Sequence, residues 1–236
     1  MPALTLIAFD ADDTLWQNLS QFHLTQDRIT ALLCEFAGPD HFGERLLAAE
    51  RRNLGHYGYG VKGFMLSLIE TAIEVTEGQV SARVIAEILS AGRAMLEEPV
   101  QLMPHASATL AALARSYQVI VITKGDLLDQ ERKIAQSGLG DLLHGAEIVS
   151  DKTAAVYSAI FTRYGHRPET CMMVGNSLRS DVLPALAAGA FGVHVPAPLT
   201  WEMERADAPQ DAPRYHAIKD LGALQDLIGA ITDHNR

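Results

Sequence analysis

Two cysteines in 236 residues are too few for a disulfide framework. Cys34 and Cys171 stand in no Cys-x-x-Cys pair and at no metal-ligand spacing, so both are expected to be buried free thiols. Positive charge is also scarce: 19 Lys and Arg against 29 Asp and Glu leave a formal charge of −10. An acidic chain of this kind is unsuited to nucleic acid or an anionic membrane surface, either of which asks for a positive face. The nine histidines are scattered without metal-binding spacing. There is no internal repeat, no low-complexity tract and no apolar stretch long enough to span a bilayer. No basic region precedes the first apolar run, and that run ends in aspartates instead of a small-residue cleavage site, so no signal peptide is expected and the address is cytoplasmic. What is present, 48% hydrophobic and 20% charged residues, describes an ordinary globular chain. Its length suits one large domain, or one domain carrying a smaller one.

The stretch from Leu4 to Trp16 carries the chemistry. Leu4, Leu6, Ile7, Ala8 and Phe9 form a short apolar run, as expected of a parallel strand covered on both faces. Three carboxylates then arrive within four residues. Asp10 and Asp12 lie two apart, so if the extended geometry persists their side chains project to one side while Ala11 points away. Converging carboxylates repel each other and are usually held by a cation or share a proton. A hard divalent metal with oxygen ligands, magnesium above all, satisfies both and can bridge to a phosphate. Thr14 adds a hydroxyl to brace the turn, and small Ala11 leaves a backbone N–H accessible to an anion. The same residues also suit a plain acidic turn after a strand.

Beyond Trp16 the apolar period becomes helical for about eighty residues. Helices are expected over 17–36, stopped by Gly38-Pro39, and over 41–54, 63–75 and 81–96, the last capped by Ser81. Between the second and third lies a glycine-rich segment, 55–63, whose His56, Tyr59 and Lys62 are candidate substrate contacts, although aromatics packing on a helical bundle would read the same way. From Pro104 strands and helices alternate, as in α/β folds. A helix over 105–116 leads to a strand at 118–122, followed by Thr123-Lys124-Gly125-Asp126 and a helix over 127–137. A short strand at 147–149 precedes Lys152 and a helix to 164. The strand at 171–174 precedes Gly175-Asn176 and a helix through 188 whose first turn holds Asp181. A strand at 193–195, an irregular proline-rich excursion over 196–213 with one helical turn near Trp201, and a last amphipathic helix complete the chain. Asp10, Thr123, Lys152 and Asp181 each fall at the carboxyl end of a strand, where a doubly wound, Rossmann-like parallel sheet gathers ligands.

Phe9-Asp10-Ala11-Asp12-Asp13-Thr14-Leu15 resembles the first motif of the haloacid dehalogenase superfamily, an apolar strand followed by Asp-x-Asp-x-Thr. The later junctions follow that family's order: a Thr after the second core strand, a Lys, then a Gly-Asp-x-x-x-x-Asp-like acidic motif. The resemblance covers residues 4–195 and implies an α/β core, 1–16 and 99–236, with an all-helical cap inserted over 17–98. It implies a phosphatase acting on a small-molecule phosphate ester with magnesium as cofactor. In the family's manner, Asp10 would be the nucleophile and Asp12 the general acid and base, with Thr123 and Lys152 completing the catalytic set. Phosphate would be held by the Ala11 and Asp12 N–H groups, Thr123, Lys124 and Lys152. Asp10 and the Asp12 carbonyl, with Asn176 or Asp181, would hold the metal. One departure stands out, because the fourth motif commonly opens Gly-Asp and this chain has Gly175-Asn176. Asn is a neutral oxygen ligand, which puts the ligand assignment more in question than the reaction. A phosphomutase could use the same residues, and a non-catalytic phosphate-binding protein could retain them. A dehalogenase is disfavoured, since those enzymes lack the second carboxylate that Asp12 supplies here.

Overall fold

The computed structural model describes residues 3–233. In chain order the elements are β1 (Leu6–Phe9), α1 (Leu19–Leu32), α2 (Pro39–Tyr57), α3 (Val61–Val75), α4 (Ala82–Glu97), α5 (Ala106–Leu113), β2 (Gln118–Lys124) and α6 (Leu127–Gln136). They continue with β3 (Gly145–Val149), α7 (Ala154–Arg163), β4 (Cys171–Gly175), α8 (Leu183–Ala187), β5 (Phe191–His194), β6 (Tyr215–Ala217) and α9 (Leu224–Asp233). These elements form two compact units. One is an α/β unit made from the described parts of residues 1–19, 100–123 and 131–236. The other is a helical unit of residues 20–99 with 124–130. Among the described residues no helix is long and apolar enough to cross a membrane.

The α/β unit is built on a six-stranded sheet in the order β3-β2-β1-β4-β5-β6. β1 pairs in parallel with both β2 and β4, Phe9 standing opposite Val121 on one side and Val174 on the other. Apolar side chains alternate between two covered faces. Ile7, Phe9, Val119, Val121, Met172 and Val174 pack towards Leu110 of α5 and Leu224 and Ile228 of α9. Leu6, Ala8, Ile120, Ile122 and Met173 pack with Tyr157, Ile160 and Phe161 of α7. Strand order reverses at β1: the chain steps from β1 to β2 and β3, then crosses back to β4 on the other flank. The crevice beyond the carboxyl ends of β1 and β4 is therefore the topological switch point, where ligands of open α/β sheets bind. The chain leaving and re-entering this unit runs as an antiparallel pair, with Gln17 N–H donating to Gln101 O (2.9 Å) and Met103 N–H to Leu15 O (2.8 Å).

The helical unit has its own core of Ile29, Leu33, Phe42, Leu46, Phe64, Leu68 and Ile88. Ser81 caps α4 by accepting from Val84 N–H at 3.3 Å. Several element boundaries differ from the sequence expectation. α1 ends at Leu32, and Gly38-Pro39 starts α2 instead of stopping α1: Gly38 is the N-cap and Pro39 the first helical residue, where its missing N–H costs nothing. Cys34 consequently sits in the turn after α1 and is exposed, so only Cys171 is a buried thiol. α2 runs through Gly55 to Tyr57, which reduces the glycine-rich connection to residues 58–60. β5 begins two residues early, at Phe191, and the edge strand β6, only three residues long, has no counterpart among the expected strands. The turn near Trp201 is present as a short helix, Glu202–Glu204.

Candidate active site

β1 delivers Asp10 to the switch point with its N–H bonded to Val174 O at 2.9 Å. Asp10 is 7% exposed, and one of its oxygens is hydrogen-bonded and ion-paired to the ammonium of Lys152. Lys152 is itself buried and reaches Asp181 Oδ1 at 2.7 Å, so one ammonium is clamped between two buried carboxylates. Burial, and after it the charge of Asp181, pushes the Asp10 carboxyl up to about 7, against the lowering pull of Lys152. Burial alone would lower the Lys152 pKa, but the charges of Asp10 and Asp181 raise it, so the lysine stays cationic.

Asp181 stands in the first turn after β4, which is wound wide: Val182 N–H reaches back five residues to Ser177 O at 3.2 Å. Its second oxygen accepts from Ser177 N–H at 2.9 Å, so Asp181 is committed to Lys152 and to its own turn. That carboxylate lies directly under Gly175. A Cβ there would fall 2.2 Å from Asp181 Oδ2, and the clamp leaves the carboxylate no room to withdraw. Gly175→Ala is therefore expected to destabilise the chain by about 1–3 kcal/mol, the cost of overpacking a filled site. Urea denaturation would measure this, and an unchanged midpoint would show that the turn can rearrange.

Beyond Asp10 the backbone turns sharply. Ala11 O accepts from the N–H groups of Thr14, Leu15 and Trp16, and Asp13 takes up a left-handed conformation (φ 61°). Asp13 caps the chain ahead of α1, accepting from Asn18 and Leu19 N–H at 3.0 Å each. Burial lifts the Asp13 carboxyl to about 6 even though the Asn18 N–H pulls it down. Asp12 Oδ1 accepts from Trp16 Nε1 (2.8 Å) and Lys133 Nζ (3.0 Å). The two carboxylates of the motif thus each have a lysine, Lys152 for Asp10 and Lys133 for Asp12.

On the other flank of β1, Asn176 follows β4. Its N–H donates to Thr14 Oγ1 at 3.0 Å, and His194 Nε2 donates to its carbonyl at 3.1 Å. With its NH₂ turned inward, the Asn176 side chain donates to Asp10 Oδ2 (3.1 Å), Thr14 Oγ1 (3.3 Å) and the Asp12 carbonyl (3.3 Å). Turned the other way, it presents its oxygen to the same point, and three oxygens converge there: one carboxylate, one peptide carbonyl and one amide. That is a donor set for a hard cation with oxygen ligands. Among the described residues no group of three His, Cys, Asp or Glu side chains has metal-binding spacing, and this mixed set is not of that type.

Thr123 closes the buried run of β2 and is fully buried, on the strand face that carries Val119 and Val121. Lys124, Tyr59 and Lys62 all belong to the helical unit. Lys124 Nζ lies 3.7 Å from the Tyr59 ring centroid, and Lys62 Nζ lies 3.3 Å from Asp126 Oδ1. Gly60 (φ +110°) passes so close to Asp126 that a Cβ would meet its Oδ2 at 2.8 Å. His56 lies in the last turn of α2 and is exposed. Two residues of the site had no counterpart in the sequence reading. Lys133 sits in the polar run Asp129-Gln130-Glu131-Arg132-Lys133, which reads as a solvated helix face. Glu204, whose Oε2 takes the hydroxyls of Ser177 and Ser180 at 2.5 Å each, comes from the proline-rich excursion and pins it to the Asp181 turn.

The sequence pattern of the haloacid dehalogenase-like hydrolases matches residues 4–189. A solved haloacid dehalogenase-like family hydrolase from Xanthomonas campestris is 38% identical, with a TM-score of 0.88 over 99% of this chain and 95% of that one. A 2-haloacid dehalogenase from Pseudomonas syringae pv. tomato shares the fold at 20% identity and a TM-score of 0.60, over 96% and 98% of the two chains. A glyceraldehyde 3-phosphate phosphatase from Methanothermobacter thermautotrophicus is 27% identical over 131 residues, 53% of this chain. The match spans somewhat more than half of that relative, 58% of its length. With the family pattern spanning both sides of the switch point, from the strand that delivers Asp10 to the helix after Asp181, the chain belongs to the haloacid dehalogenase-like hydrolases.

Proposed function

We propose that the protein is a magnesium-dependent phosphatase that hydrolyses a small phosphorylated metabolite through an aspartyl-phosphate intermediate on Asp10. The observation that carries this reading is the oxygen cluster of Asp10, the Asp12 carbonyl and Asn176 beside the Asp10–Lys152 ion pair. A nucleophile, a fixed positive charge and a cation-binding donor set meet there at one strand end. The similarity to a glyceraldehyde 3-phosphate phosphatase supports a phosphoryl substrate.

The residues divide the work. The Asp10 carboxylate attacks phosphorus as the bond to the leaving oxygen breaks, splitting one hard displacement into two easier ones. Asp12 gives a proton to the departing alkoxide and takes one from the water that later cleaves the acyl phosphate. Lys152 offsets the charge of the phosphoryl oxygens, and the Thr123 hydroxyl with the Ala11 and Asp12 N–H groups orients them. Asp10 and Asp181 share the single ammonium of Lys152, so an incoming dianion meets carboxylate charge that this lysine alone does not balance. A divalent magnesium ion bound by Asp10, the Asp12 carbonyl and Asn176 would supply the missing positive charge. Asp181, occupied by Lys152 and Ser177, serves in this scheme to fix the lysine. The helical unit, inserted directly after the catalytic loop, is proposed as the cap that selects the leaving group, with His56, Tyr59 and Lys62 as its candidate contacts.

Hydrolysis of p-nitrophenyl phosphate and of a panel of small phosphomonoesters is expected with magnesium, to be abolished by EDTA and to return on adding magnesium. Turnover indifferent to EDTA would remove the metal from the proposal, and silence across the panel would remove the phosphatase.

A further inference from the structure

We propose that Lys133 is a positioning residue for Asp12, holding its carboxylate in the orientation from which it protonates the leaving group; this rests on the reading of Asp12 as the general acid. Lys133 is 8% exposed, which is rare for a lysine without a structural task. Its ammonium binds two partners from the loop after β1: Asp12 Oδ1 at 3.0 Å and Asn18 Oδ1 at 2.7 Å. Asn18 is in turn held through its own N–H by Asp13. The fully packed Trp16, 1% exposed, directs its Nε1–H at the same Asp12 oxygen from 2.8 Å.

Two donors on one oxygen occupy both of its lone pairs. The carboxylate then cannot spin about its Cβ–Cγ bond. The bond changes balance in the ordinary way: the carboxyl O–H bond of Asp12 breaks as the leaving oxygen takes the proton and parts from phosphorus, phosphorus gains the Asp10 oxygen, and Asp12 is left as the carboxylate. A group held in one geometry needs no reorganisation as the transition state forms, which is where oriented acids derive much of their effect. A lysine placed merely to balance charge would be satisfied by one carboxylate. The second bond, to Asn18, fixes where the ammonium sits and therefore where Asp12 points.

The test compares phenyl phosphate with p-nitrophenyl phosphate, two esters of similar shape of which only the first has a leaving group that depends on protonation. Values of kcat/KM report the step up to departure of the leaving group, so later hydrolysis of the intermediate does not blur them. In the magnesium-loaded enzyme, Lys133→Met is expected to lower kcat/KM for phenyl phosphate by about 10²-fold, the low end of what general-acid catalysis contributes. For p-nitrophenyl phosphate the loss should stay within about threefold, because that transition state asks little of an acid. Lys133→Arg should restore part of the selective loss, and Trp16→Phe, which removes the other donor, should show the same selectivity. An equal loss on both esters, or no loss, overturns the proposal. If Lys133→Met does not fold, the selectivity of Trp16→Phe and Lys133→Arg decides by the same criterion. Asp12→Asn serves as the reference: should it fail to discriminate between the esters, the reading of Asp12 as acid falls, and that result is distinct from a discriminating Asp12→Asn beside a uniform Lys133→Met.

Discussion

Lys152→Met is expected to destabilise the chain by about 3–5 kcal/mol, because it removes the cation shared by two buried carboxylates and leaves them facing each other. Asp10 and Asp181 are 7% and 0% exposed, so water cannot replace the lost ammonium, and methionine restores the volume of the stem but none of the charge. The loss should depend on pH in a definite direction. Burial and the neighbouring charge of Asp181 already hold Asp10 at about 7, with Lys152 pulling the other way. Without the lysine the carboxyl rises further. A carboxyl raised on folding binds more protons in the native state than in the unfolded one between the two pKa values, so stability falls as pH rises through that window. The gap between Lys152→Met and the parent should therefore be small near pH 4 and widen through pH 7 and above. Urea denaturation in EDTA at several pH values would measure it, and a gap that stays constant with pH would mean the lysine acts by packing alone. Turnover should be lost as well, since in the proposed reaction the same ammonium offsets the charge of the phosphoryl group.

How much of this was readable from residues depends on what each residue's neighbours are. β1, β2 and β4 announce themselves as unbroken apolar runs because both faces of each are covered, Ile7 and Phe9 on one side and Leu6 and Ala8 on the other. β6 is a three-residue strand at the sheet's edge, partly exposed along its length, and so carries no such run. Gly38-Pro39 was ambiguous by nature: the pair that ends one helix also begins another, and only the tertiary position of Phe42 and Leu46 in the helical core decides between them. The glycine-rich loop expected over 55–63 is shorter in the structure because Gly55 does not end the helix. That glycine lies inside α2, where the helix bears the modest propensity cost of a glycine.

The site divides along the same line. Asp10, Thr123, Lys152 and Asp181 occupy strand ends, and strand ends are local features that the sequence displays. The partnerships are not local. Lys133 meets Asp12 across 121 residues, and Glu204 meets Ser177 across 27. Neither pairing leaves a periodicity or spacing in the chain, because the fold alone brings the partners together. The role of Asp181 illustrates the difference. Its position at the head of a helix was legible, but its commitment to Lys152 and to the Ser177 N–H became visible only with the turn in place.

Asp10→Asn is expected to lose turnover by about a thousandfold or more, as removal of a nucleophile does, and at the same time to make the folded protein more stable at pH 8. The two effects have one cause. A carboxylate confined beside Asp181, with Lys152 shared between them, is an unfavourable charge in the native state, and in the proposed reaction it is also the attacking group; the neutral amide relieves the charge and removes the attack. Since the Asp10 pKa is raised on folding, its destabilising effect is absent below the ordinary carboxylate range and grows as pH rises through about 7. The stability gained by the variant should accordingly be small near pH 4, grow steadily as pH rises from there through about 7 and be nearly complete by pH 8 in EDTA. Magnesium should narrow it, because a cation on the Asp10, Asp12-carbonyl and Asn176 oxygens favours the charged parent and gains much less from the amide. Thermal melts across pH, with and without magnesium, would be set beside turnover of the same preparations. A variant that lost activity and stability together at pH 8 would make Asp10 a structural partner of Lys152, and the nucleophile would have to be sought elsewhere; opposite signs for the two quantities are what an attacking carboxylate requires.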